Sequence, residues 1–510
     1  MSSELRAEAS QKISGEVVPS GTRWRTFFDL MRILFVLHDF LPKHPAGTEI
    51  FTFEVARELQ RRGHEVHIFA AEKDISRSNL SIHHREYEGL PVHELTNNLF
   101  YDEFSETWDY PQVVKPFGIF LDDLKPDVVH FMHLLYLSVG CVEEVSRRGI
   151  PVIYTLHDYW LQCARYGQRI HSNGAICHEI IPEVCGGCLV DLKFKQTPVE
   201  RAVAKGIANL NQRTGVNLAS SARLVGDLLK GRTKKNDTAQ EEEPASNLEN
   251  TDEARAIAEQ IKDRDGVLRE RLLPFVYRFL SPSEFLRERF LEWGIPPEQI
   301  DFCRVGINLK PFEGVERVPS DTLRVAFIGT PVPHKGVHVL LEAWGKLTET
   351  IRSSAQLEIY GGLDHNPGYI RKIQTLSDAV GAPLMGALKR SEVASALART
   401  DLLVVPSIWY ENSPLTILEA IATKTPILVS DLGGMAELVE PGLNGYKFKV
   451  GDSDDLARVL SDLHENPERL SSLYPDDLFV KPIEADGELF ENLYQEALAA
   501  INPKSTTPSS

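Results

Sequence analysis

Three features are scarce or missing in this 510-residue sequence. No run of residues approaches the roughly 18 consecutive apolar positions that a transmembrane helix needs. Only 6 residues are cysteine, too few for a disulfide framework in a chain of this length. Basic residues are outnumbered, since 55 Lys and Arg face 73 Asp and Glu for a net charge of -18. We therefore expect a soluble chain with no nucleic-acid partner.

The first thirty residues carry dispersed charges and no apolar block, so they do not have the pattern of a secretory signal. We expect residues 1–30 to be a disordered tail, and Met31 is an alternative start of the chain. The expected compartment is the cytoplasm, where the cysteines are reduced thiols, metal ligands or catalytic groups.

Apolar runs alternate with helix-compatible stretches from Met31 onward. MRILFVLHDF, a glycine turn, a helical stretch and EVHIFAAE form a βαβ unit, and DVVHFMHL and PVIYTLHD continue the series. This pattern predicts a doubly wound parallel-sheet domain over residues 31–308. Residues from about 232 to 266 are rich in charge and lack aromatic residues, and only their later part is compatible with a helix, which predicts a mobile acidic insertion.

A second alternating series includes RVAFIG, LEIYGG, DLLVVPS and PILVSD. It predicts another parallel sheet in a C-terminal domain over residues 322–475. Residues 476–510 are expected to form a C-terminal helix, packing back on the first domain, and a free tail. The predicted fold class is α/β, with two Rossmann-like domains facing a cleft, and ligands in such sheets bind at the carboxyl ends of the strands.

The stretch WYENSPLTILEA follows a predicted strand and holds the clearest chemical signal. Ser413 is expected to cap a helix that begins at Pro414 and presents backbone N–H groups to a phosphate. Glu411 and Glu419 would then offer two carboxylates to sugar or ribose hydroxyls. The alternative is that one is a solvated loop residue and the other a surface helix residue.

These residues resemble the E-x7-E signature of the retaining glycosyltransferases of family 4, which have the GT-B fold. HKGVHVLLEAW and SDLGGMAELVEPGLNGYKF are similar to that family in order and spacing. The resemblance extends from Met31 to about Leu463, outside the acidic insertion. It is therefore more specific than an isolated glycine pattern.

The resemblance implies roles for residues of the second domain. Glu411 would contact the donor sugar, Glu419 the ribose, and Lys335 the diphosphate, with a solvated surface lysine as the alternative for the last. The family usually has arginine where this chain has Thr330, and Arg390 or Arg324 are candidate substitutes. The other implied donor-binding residues lie at the predicted helix start and in a glycine loop. They are Ser413, Leu415, Thr416, Gly433 and Gly434.

In the first domain, the resemblance places Gly47 on the acceptor or phosphate side, unless it is an ordinary turn glycine. His157 ends a strand, and the family has a histidine there that contacts the reacting sugar or its phosphate. The alternative is a histidine that only bonds neighbouring backbone. His130 and His133 are weaker candidates, and we expect one of them to be structural.

Four cysteines are grouped after the HDYW sequence: Cys163, Cys177, Cys185 and Cys188. Their spacing is compatible with tetrahedral zinc, and bacterial members of the family carry a similar cluster. The alternative is four reduced thiols without a metal. Cys141 and Cys303 lie beside apolar residues and are expected to pack in the core.

The function implied by the resemblance is transfer of a sugar, with retained anomeric configuration, from a UDP-sugar or GDP-sugar. The acceptor would be a carbohydrate, a polysaccharide or an envelope lipid, with peripheral contact at the inner face of the membrane. No catalytic metal is implied. A different function for the same fold is a non-catalytic sugar-nucleotide sensor or a partner-binding scaffold. A sugar-nucleotide epimerase is disfavoured by the paired glutamates and HKG.

Overall fold

The computed structural model describes residues 30–214, 251–474, 478 and 480–501. These residues group into two units. The N-terminal unit contains the described residues of 27–280, 293–300 and 489–510. The C-terminal unit contains those of 281–292 and 301–488. The prediction of a tail over residues 1–30 lies outside the described residues except for Leu30.

An eight-stranded sheet carries the N-terminal unit, and its strand order is β3-β4-β2-β1-β5-β6-β7-β8. The strands β1 to β7 pair in parallel except for β3, which runs antiparallel to β4 at the sheet edge. The central strands are buried because their side chains are apolar on both faces, as in a sheet covered by helices on both sides. The strands are β1 Arg32–His38, β2 Glu65–Glu72, β3 Ile82–Tyr87, β4 Leu90–Thr96, β5 Val128–Phe131, β6 Val152–Thr155, β7 Arg278–Ser281 and β8 Ile300–Phe302.

The helices before β8 include the crossover helices of this sheet. They are α1 Gly47–Arg61, α2 Pro111–Leu124, α3 Gly140–Ser146, α4 Pro182–Leu189, α5 Pro198–Thr214, α6 Asp252–Leu272 and α7 Glu284–Trp293. Short 3-10 turns lie at Phe104–Thr107 and Pro297–Gln299.

The predicted mobile insertion is wrong for its later part. Residues 252–266 belong to α6, which begins after Thr251, whose side chain accepts a hydrogen bond from the backbone N–H of Ala254. Buried residues recur at helical spacing along α6: Ala254, Ile257, Ala258, Ile261 and Leu268. This apolar stripe packs against α4. The earlier part of the predicted insertion, residues 232–250, lies outside the described residues.

The C-terminal unit has a six-stranded parallel sheet with the order β11-β10-β9-β12-β13-β14. Its strands are β9 Leu323–Ile328, β10 Ala355–Tyr360, β11 Leu384–Gly386, β12 Leu402–Val405, β13 Ile427–Ser430 and β14 Gly445–Phe448. The helices are α8 Val337–Lys346, α9 Glu349–Ser353, α10 Pro367–Val380, α11 Val393–Ala398, α12 Leu415–Ala422, α13 Gly433–Glu437, α14 Ser453–Glu465, α15 Glu468–Ser471 and α16 Ile483–Ile501. Further 3-10 turns are Lys310–Phe312, Pro333–Lys335 and Arg390–Glu392.

The predicted α/β fold with two mainly parallel sheets is confirmed. The last helix, α16, divides between the units, because its residues from Leu489 onward group with the N-terminal unit. Crossing a lipid bilayer takes a longer and more apolar helix than any found in the described ranges.

Candidate active site

Lys335 and Glu411 form the central ion pair of the C-terminal unit. Lys335 ends the 3-10 turn that follows β9, and Glu411 lies in the loop between β12 and α12. The Nζ atom of Lys335 lies 2.5 Å from Oε1 of Glu411. Ser407 donates its hydroxyl to the same oxygen at 2.9 Å. Two donors therefore fix a buried carboxylate at the carboxyl ends of the strands.

Burial raises the pKa of Glu411, but the charge and hydrogen bonds of Lys335 and its other donors outweigh burial, so its pKa lies below the ordinary value. Glu411 is therefore a carboxylate near neutral pH. The indole of Trp409 lies beneath Lys335, with Nζ 5.4 Å from the ring centroid. Burial and Lys335 lower the pKa of the adjacent His334 to about 4, so this imidazole is neutral. The cation at this point is thus Lys335.

Gly336 allows the 3-10 turn that ends at Lys335 to pack against the loop that carries Glu411. Its φ of +70° is in the left-handed region, and an added Cβ would lie 1.9 Å from the carbonyl oxygen of Pro406. The backbone N–H of Ile408 donates to the carbonyl of His334 at 2.8 Å. A glycine is therefore required for the close approach that pairs Lys335 with Glu411.

Glu419 lies on α12 with 2% of its surface exposed, and the guanidinium of Arg390 contacts its Oε1 atom. Arg390 is thus the second cation near the paired glutamates. Arg324 is the second residue of β9, at the end of the strand opposite to Lys335, and forms a bidentate pair with Asp401, at 2.8 and 2.9 Å. Of the two candidate substitutes for the missing family arginine, only Arg390 lies with the glutamates.

The prediction that Ser413 caps a helix starting at Pro414 is wrong. Pro414 itself is the N-cap residue in an extended conformation, and α12 begins at Leu415. The Ser413 hydroxyl is buried and makes no hydrogen bond to another described residue. Leu415 and Thr416 do occupy the first two helical positions, as the phosphate-binding hypothesis requires. That hypothesis stays a prediction.

The two glycines expected in a loop form the first residues of α13. Gly433 has a φ of +61°, and a Cβ on Gly434 would lie 2.3 Å from the carbonyl oxygen of Asn412. The backbone N–H of Met435 donates to the carbonyl of Glu411 at 3.1 Å. The glycine pair therefore packs directly on the loop that carries Glu411, while Thr330 lies exposed after β9.

In the N-terminal unit, His157 lies two residues after β6 with two other histidines nearby. Burial, followed by the charge of His133, lowers the pKa of His157 to about 3, so its imidazole is neutral. His133 contacts Asp158, with Nε2 and Oδ2 3.0 Å apart. The rings of His38 and His133 are 4.3 Å apart. Strands β1, β5 and β6 thus bring three imidazoles to one edge of the sheet.

His130 has a structural position, in contrast to His133. It is fully buried, and its two ring nitrogens lie 2.7 Å from the hydroxyls of Tyr494 and Thr155. Both nitrogens are therefore used inside the core. One of these two histidines was expected to be structural. That residue is His130, whereas His133 lies near the strand ends.

Gly47 is the first residue of α1, after Ala46, which provides no side-chain cap. An added Cβ at Gly47 would meet nothing within 4 Å, so the space in front of this helix end is open. Two residues further, Glu49 is 2% exposed and lies 3.5 Å from Nε2 of His38. The sequence reasoning missed Glu49. Its helical spacing to the buried Thr52, Ala56 and Leu59 was the available signal.

The four clustered cysteines come from the HDYW loop, a short β-bridge and helix α4. Their thiols are reduced and interact electrostatically with one another. Each also faces a guanidinium: Cys163 and Cys185 face Arg264, Cys177 faces Arg169, and Cys188 faces Arg165. Burial raises the pKa of Cys185 to about 12, so this thiol is protonated near neutral pH.

A metal site can be built from His, Cys, Asp or Glu side chains. Among the described residues, Asp39, His44 and Glu72 form the one group of three such side chains whose candidate ligand atoms all lie within 4.8 Å of one another. His44 lies between the two carboxylates, at 3.6 and 3.5 Å. Lys43 lies 3.5 Å from Glu72. The group is thus satisfied by its own basic residues. The cysteine sulfurs are more widely spaced than this group, so a metal would have to draw them together.

Two family descriptions match the chain, one in each unit. "Glycosyltransferase Family 4" matches residues 45–176, and "Glycosyl transferases group 1" matches residues 312–475. Together they cover more than half of the sequence, and the paired glutamates and Lys335 lie inside the second match. The chain belongs to the family 4-like glycosyltransferases.

Curated relatives in this family are similar to the chain over part of their length. An MMP alpha-(1->4)-mannosyltransferase of Mycolicibacterium hassiacum is 30% identical over 36% of the chain and 44% of the relative. An N,N'-diacetylbacillosaminyl-diphospho-undecaprenol alpha-1,3-N-acetylgalactosaminyltransferase of Campylobacter jejuni is 29% identical over 38% of the chain and 52% of the relative. The chain spans about half the length of these curated relatives.

Solved structures share the fold along most of the chain. The sucrose-phosphate synthase of Thermosynechococcus elongatus has a TM-score of 0.57 at 17% identity and covers 92% of this chain and 100% of its own. Anabaena HepE in complex with UDP and glucose has a TM-score of 0.53 at 14% identity, with 93% and 98% covered. These likenesses agree with the GT-B architecture.

Proposed function

We propose that this glycosyltransferase transfers a sugar from a nucleotide-diphosphate sugar to a carbohydrate or lipid-linked acceptor, with retention of configuration. The observation that supports it best is the pairing of two buried glutamates with two cations, Lys335 with Glu411 and Arg390 with Glu419. Carboxylates held in this way can accept hydrogen bonds from hydroxyls. The cations compensate a diphosphate.

On the donor side, Glu419 would bind the ribose and Glu411 the sugar hydroxyls. Lys335 would neutralise the charge that develops on the departing diphosphate, together with the N-terminal end of α12 at Leu415 and Thr416. The nearby Ser413, Thr330, Gly433 and Gly434 complete the proposed donor site. The structure of Anabaena HepE with UDP-glucose makes a UDP-sugar the first donor to test.

On the acceptor side, the neutral His157 would contact the reacting sugar or its phosphate as a hydrogen-bonding group. The open space before Gly47 leaves room for a phosphate or an acceptor at the start of α1. The Campylobacter relative, whose name includes an undecaprenol diphosphate, supports a lipid-linked acceptor. Peripheral contact with the inner face of a membrane is part of the proposal. A non-catalytic sensor of sugar nucleotides remains the competing function.

A screen of UDP-sugars and GDP-sugars tests the proposal. We expect the protein to bind one of them and to release its nucleoside diphosphate slowly in the absence of an acceptor. Binding without release would favour the sensor, and absence of both would contradict the proposal.

Separate roles of the two glutamates give a second test. We expect Glu419→Gln to weaken donor binding by about 1 to 3 kcal/mol, because the ribose loses a hydrogen-bond acceptor. Glu411→Gln should chiefly lower kcat. Isothermal titration and steady-state kinetics distinguish the two, with Glu358→Gln on β10 as the control. Unchanged kinetics in both variants would remove the donor assignment.

We also propose that Cys163, Cys177, Cys185 and Cys188 hold a structural zinc ion. Four thiolates and zinc carry a net charge of about -2, which is costly inside a protein without compensation. Arg169 and Arg264 are buried, and they donate hydrogen bonds to backbone carbonyl groups and to the side-chain amide of Gln162. The positive charge of these two guanidinium groups favours an anionic zinc centre at this position.

Elemental analysis of freshly reduced protein is expected to find about one zinc per chain. Cys185→Ser should lose the metal and lower Tm, because the ligand set is no longer complete. The control is Cys141→Ala, since Cys141 is a buried thiol of the same unit outside the cluster. Metal-free wild-type protein would contradict the zinc assignment.

A further inference from the structure

Three histidines and a glutamate form a continuous chain of side chains across the strands β2, β4 and β3. Glu65 and His67 lie on β2, His93 on β4 and His84 on β3. Oε1 of Glu65 lies 2.9 Å from Nε2 of His67, and Nδ1 of His67 lies 3.0 Å from Nε2 of His93. The Nδ1 atoms of His93 and His84 are then 2.6 Å apart. These side chains are separate from the proposed donor and acceptor residues.

The register of the sheet brings the histidines to one face. His84 is directly opposite His93 in the antiparallel ladder, and His93 is level with Phe69, two residues after His67, in the parallel ladder. Such residues point to the same face of a sheet. His93 is partly buried, with its ring centroid 4.7 Å from that of Phe120 on α2, whereas His84 is exposed. One histidine is therefore held in place while its neighbour is open to solvent.

The carboxylate at the start of this chain of side chains fixes which ring nitrogens carry protons. The hydrogen bond of His67 lowers the pKa of Glu65, so Glu65 is a carboxylate near neutral pH and only accepts. A neutral His67 thus donates from Nε2 and accepts at Nδ1, where Nε2 of His93 donates. A neutral His93 is then left with a lone pair on Nδ1. This lone pair faces Nδ1 of His84.

We propose that His84 and His93 bind one divalent transition-metal ion through their Nδ1 atoms. In the metal-free protein, His84 donates its Nδ1–H to His93. On binding, the proton of His84 moves to its Nε2 atom, and the lone pairs of both Nδ1 atoms bind the metal, so no proton is released overall. Imidazole ligands suit zinc, nickel and copper. Water occupies the remaining coordination positions, which makes the ion exchangeable.

Two observations favour a metal site over a simple contact between two rings. A ligating histidine usually donates its other N–H to a group that fixes its orientation, and His67, itself held by Glu65, accepts that bond from His93. Nitrogens bound to one metal at about 2.1 Å lie about 3.0 to 3.4 Å apart, which requires a shift of less than about 1 Å from the observed separation. The exposed His84 can make this shift, and the exposed Glu86 on the same face of β3 adds negative charge.

Titration of the reduced full chain with Ni²⁺ at pH 8 tests the site. We expect isothermal titration to find one more bound Ni²⁺ in the wild type than in His84→Ala. Because the ion joins β3 to β4 only in the folded sheet, Ni²⁺ should also raise the Tm of the wild type more than that of the variant. His84 is exposed, so its replacement should leave the Tm without metal unchanged.

His83→Ala is the matched control from the same strand. His83 points to the opposite face, where its Nε2 atom lies 3.0 Å from the hydroxyl of Ser81, and this variant should keep the Ni²⁺ site. His67→Phe should weaken Ni²⁺ binding at least about tenfold, because His93 loses the acceptor that orients it.

Equal Ni²⁺ binding by the wild type and His84→Ala would overturn the site. An equal loss in His84→Ala and His83→Ala would overturn it as well, because it would show a general disturbance of β3. Unchanged affinity in His67→Phe would overturn the orienting role of His67. These measurements need no nucleotide sugar, so their outcome is independent of the proposed function.

Discussion

Lys335→Ala is expected to lower sugar transfer by at least about 1000-fold. The diphosphate leaving group gains negative charge as its bond to the sugar breaks, and removing one aligned donor of this kind typically costs 100- to 1000-fold. The loss should be larger here for a second reason. Lys335 also compensates the buried Glu411, whose carboxylate would be left beside Ser407 without its cation.

The measurement compares kcat and donor affinity at two salt concentrations. Lys346→Ala is the control, because Lys346 lies on the helix after Lys335 and pairs at the surface with Asp454 at 2.6 Å. We expect the control to match the wild type, since surface ion pairs contribute little. Full affinity and turnover in Lys335→Ala would mean that Lys335 does not hold the diphosphate, and its proposed role at the donor site would be wrong.

Gly336→Ala is expected to destabilise the C-terminal unit by roughly 2 to 5 kcal/mol and to weaken donor binding at least tenfold. The left-handed conformation opposes a side chain, and the new Cβ would overlap the carbonyl oxygen of Pro406. Relief of that overlap separates the turn of Lys335 from the loop of Glu411.

Gly381→Ala isolates the conformational part of this effect. Gly381 has a similar φ of +68° at the end of α10, but nothing lies within 4 Å of its added Cβ. We expect a cost of about 1 kcal/mol there and unchanged donor affinity. Differential scanning calorimetry and donor titration of both variants make the comparison. Equal effects of the two substitutions would show that the contact with Pro406 does not matter.

The strands that are buried on both faces of a sheet were predictable from the sequence. β1, β5 and β12 are short apolar runs that end in turn or polar residues, and their pattern has few alternatives. β3 was not predicted, because an edge strand carries polar residues such as His84 and Glu86 on its exposed face. Residues 252–266 of α6 were assigned to the mobile insertion although they are compatible with a helix, because their many charges outweighed the narrow stripe of Ala254, Ile257 and Ala258.

The paired glutamates and Lys335 were recognisable from sequence motifs, but their partners depended on the fold. Arg390 reaches Glu419 across 29 positions of the chain, which spacing alone does not reveal. Glu49 resembled an ordinary acidic residue in the first turn of a helix, where such residues are favoured by the helix dipole. Only its burial distinguishes it from a surface residue.

The division of α16 has a consequence for exchanging parts between related enzymes. Glu491 contacts His64 and Arg62 at 3.0 and 3.1 Å, and Tyr494 bonds to His130. Residues 489–501 thus complete the interior of the N-terminal unit. A chimaera designed to acquire another donor specificity must keep its own residues 489–501. Joining two relatives at a single breakpoint near residue 308 would instead graft a foreign segment into that interior.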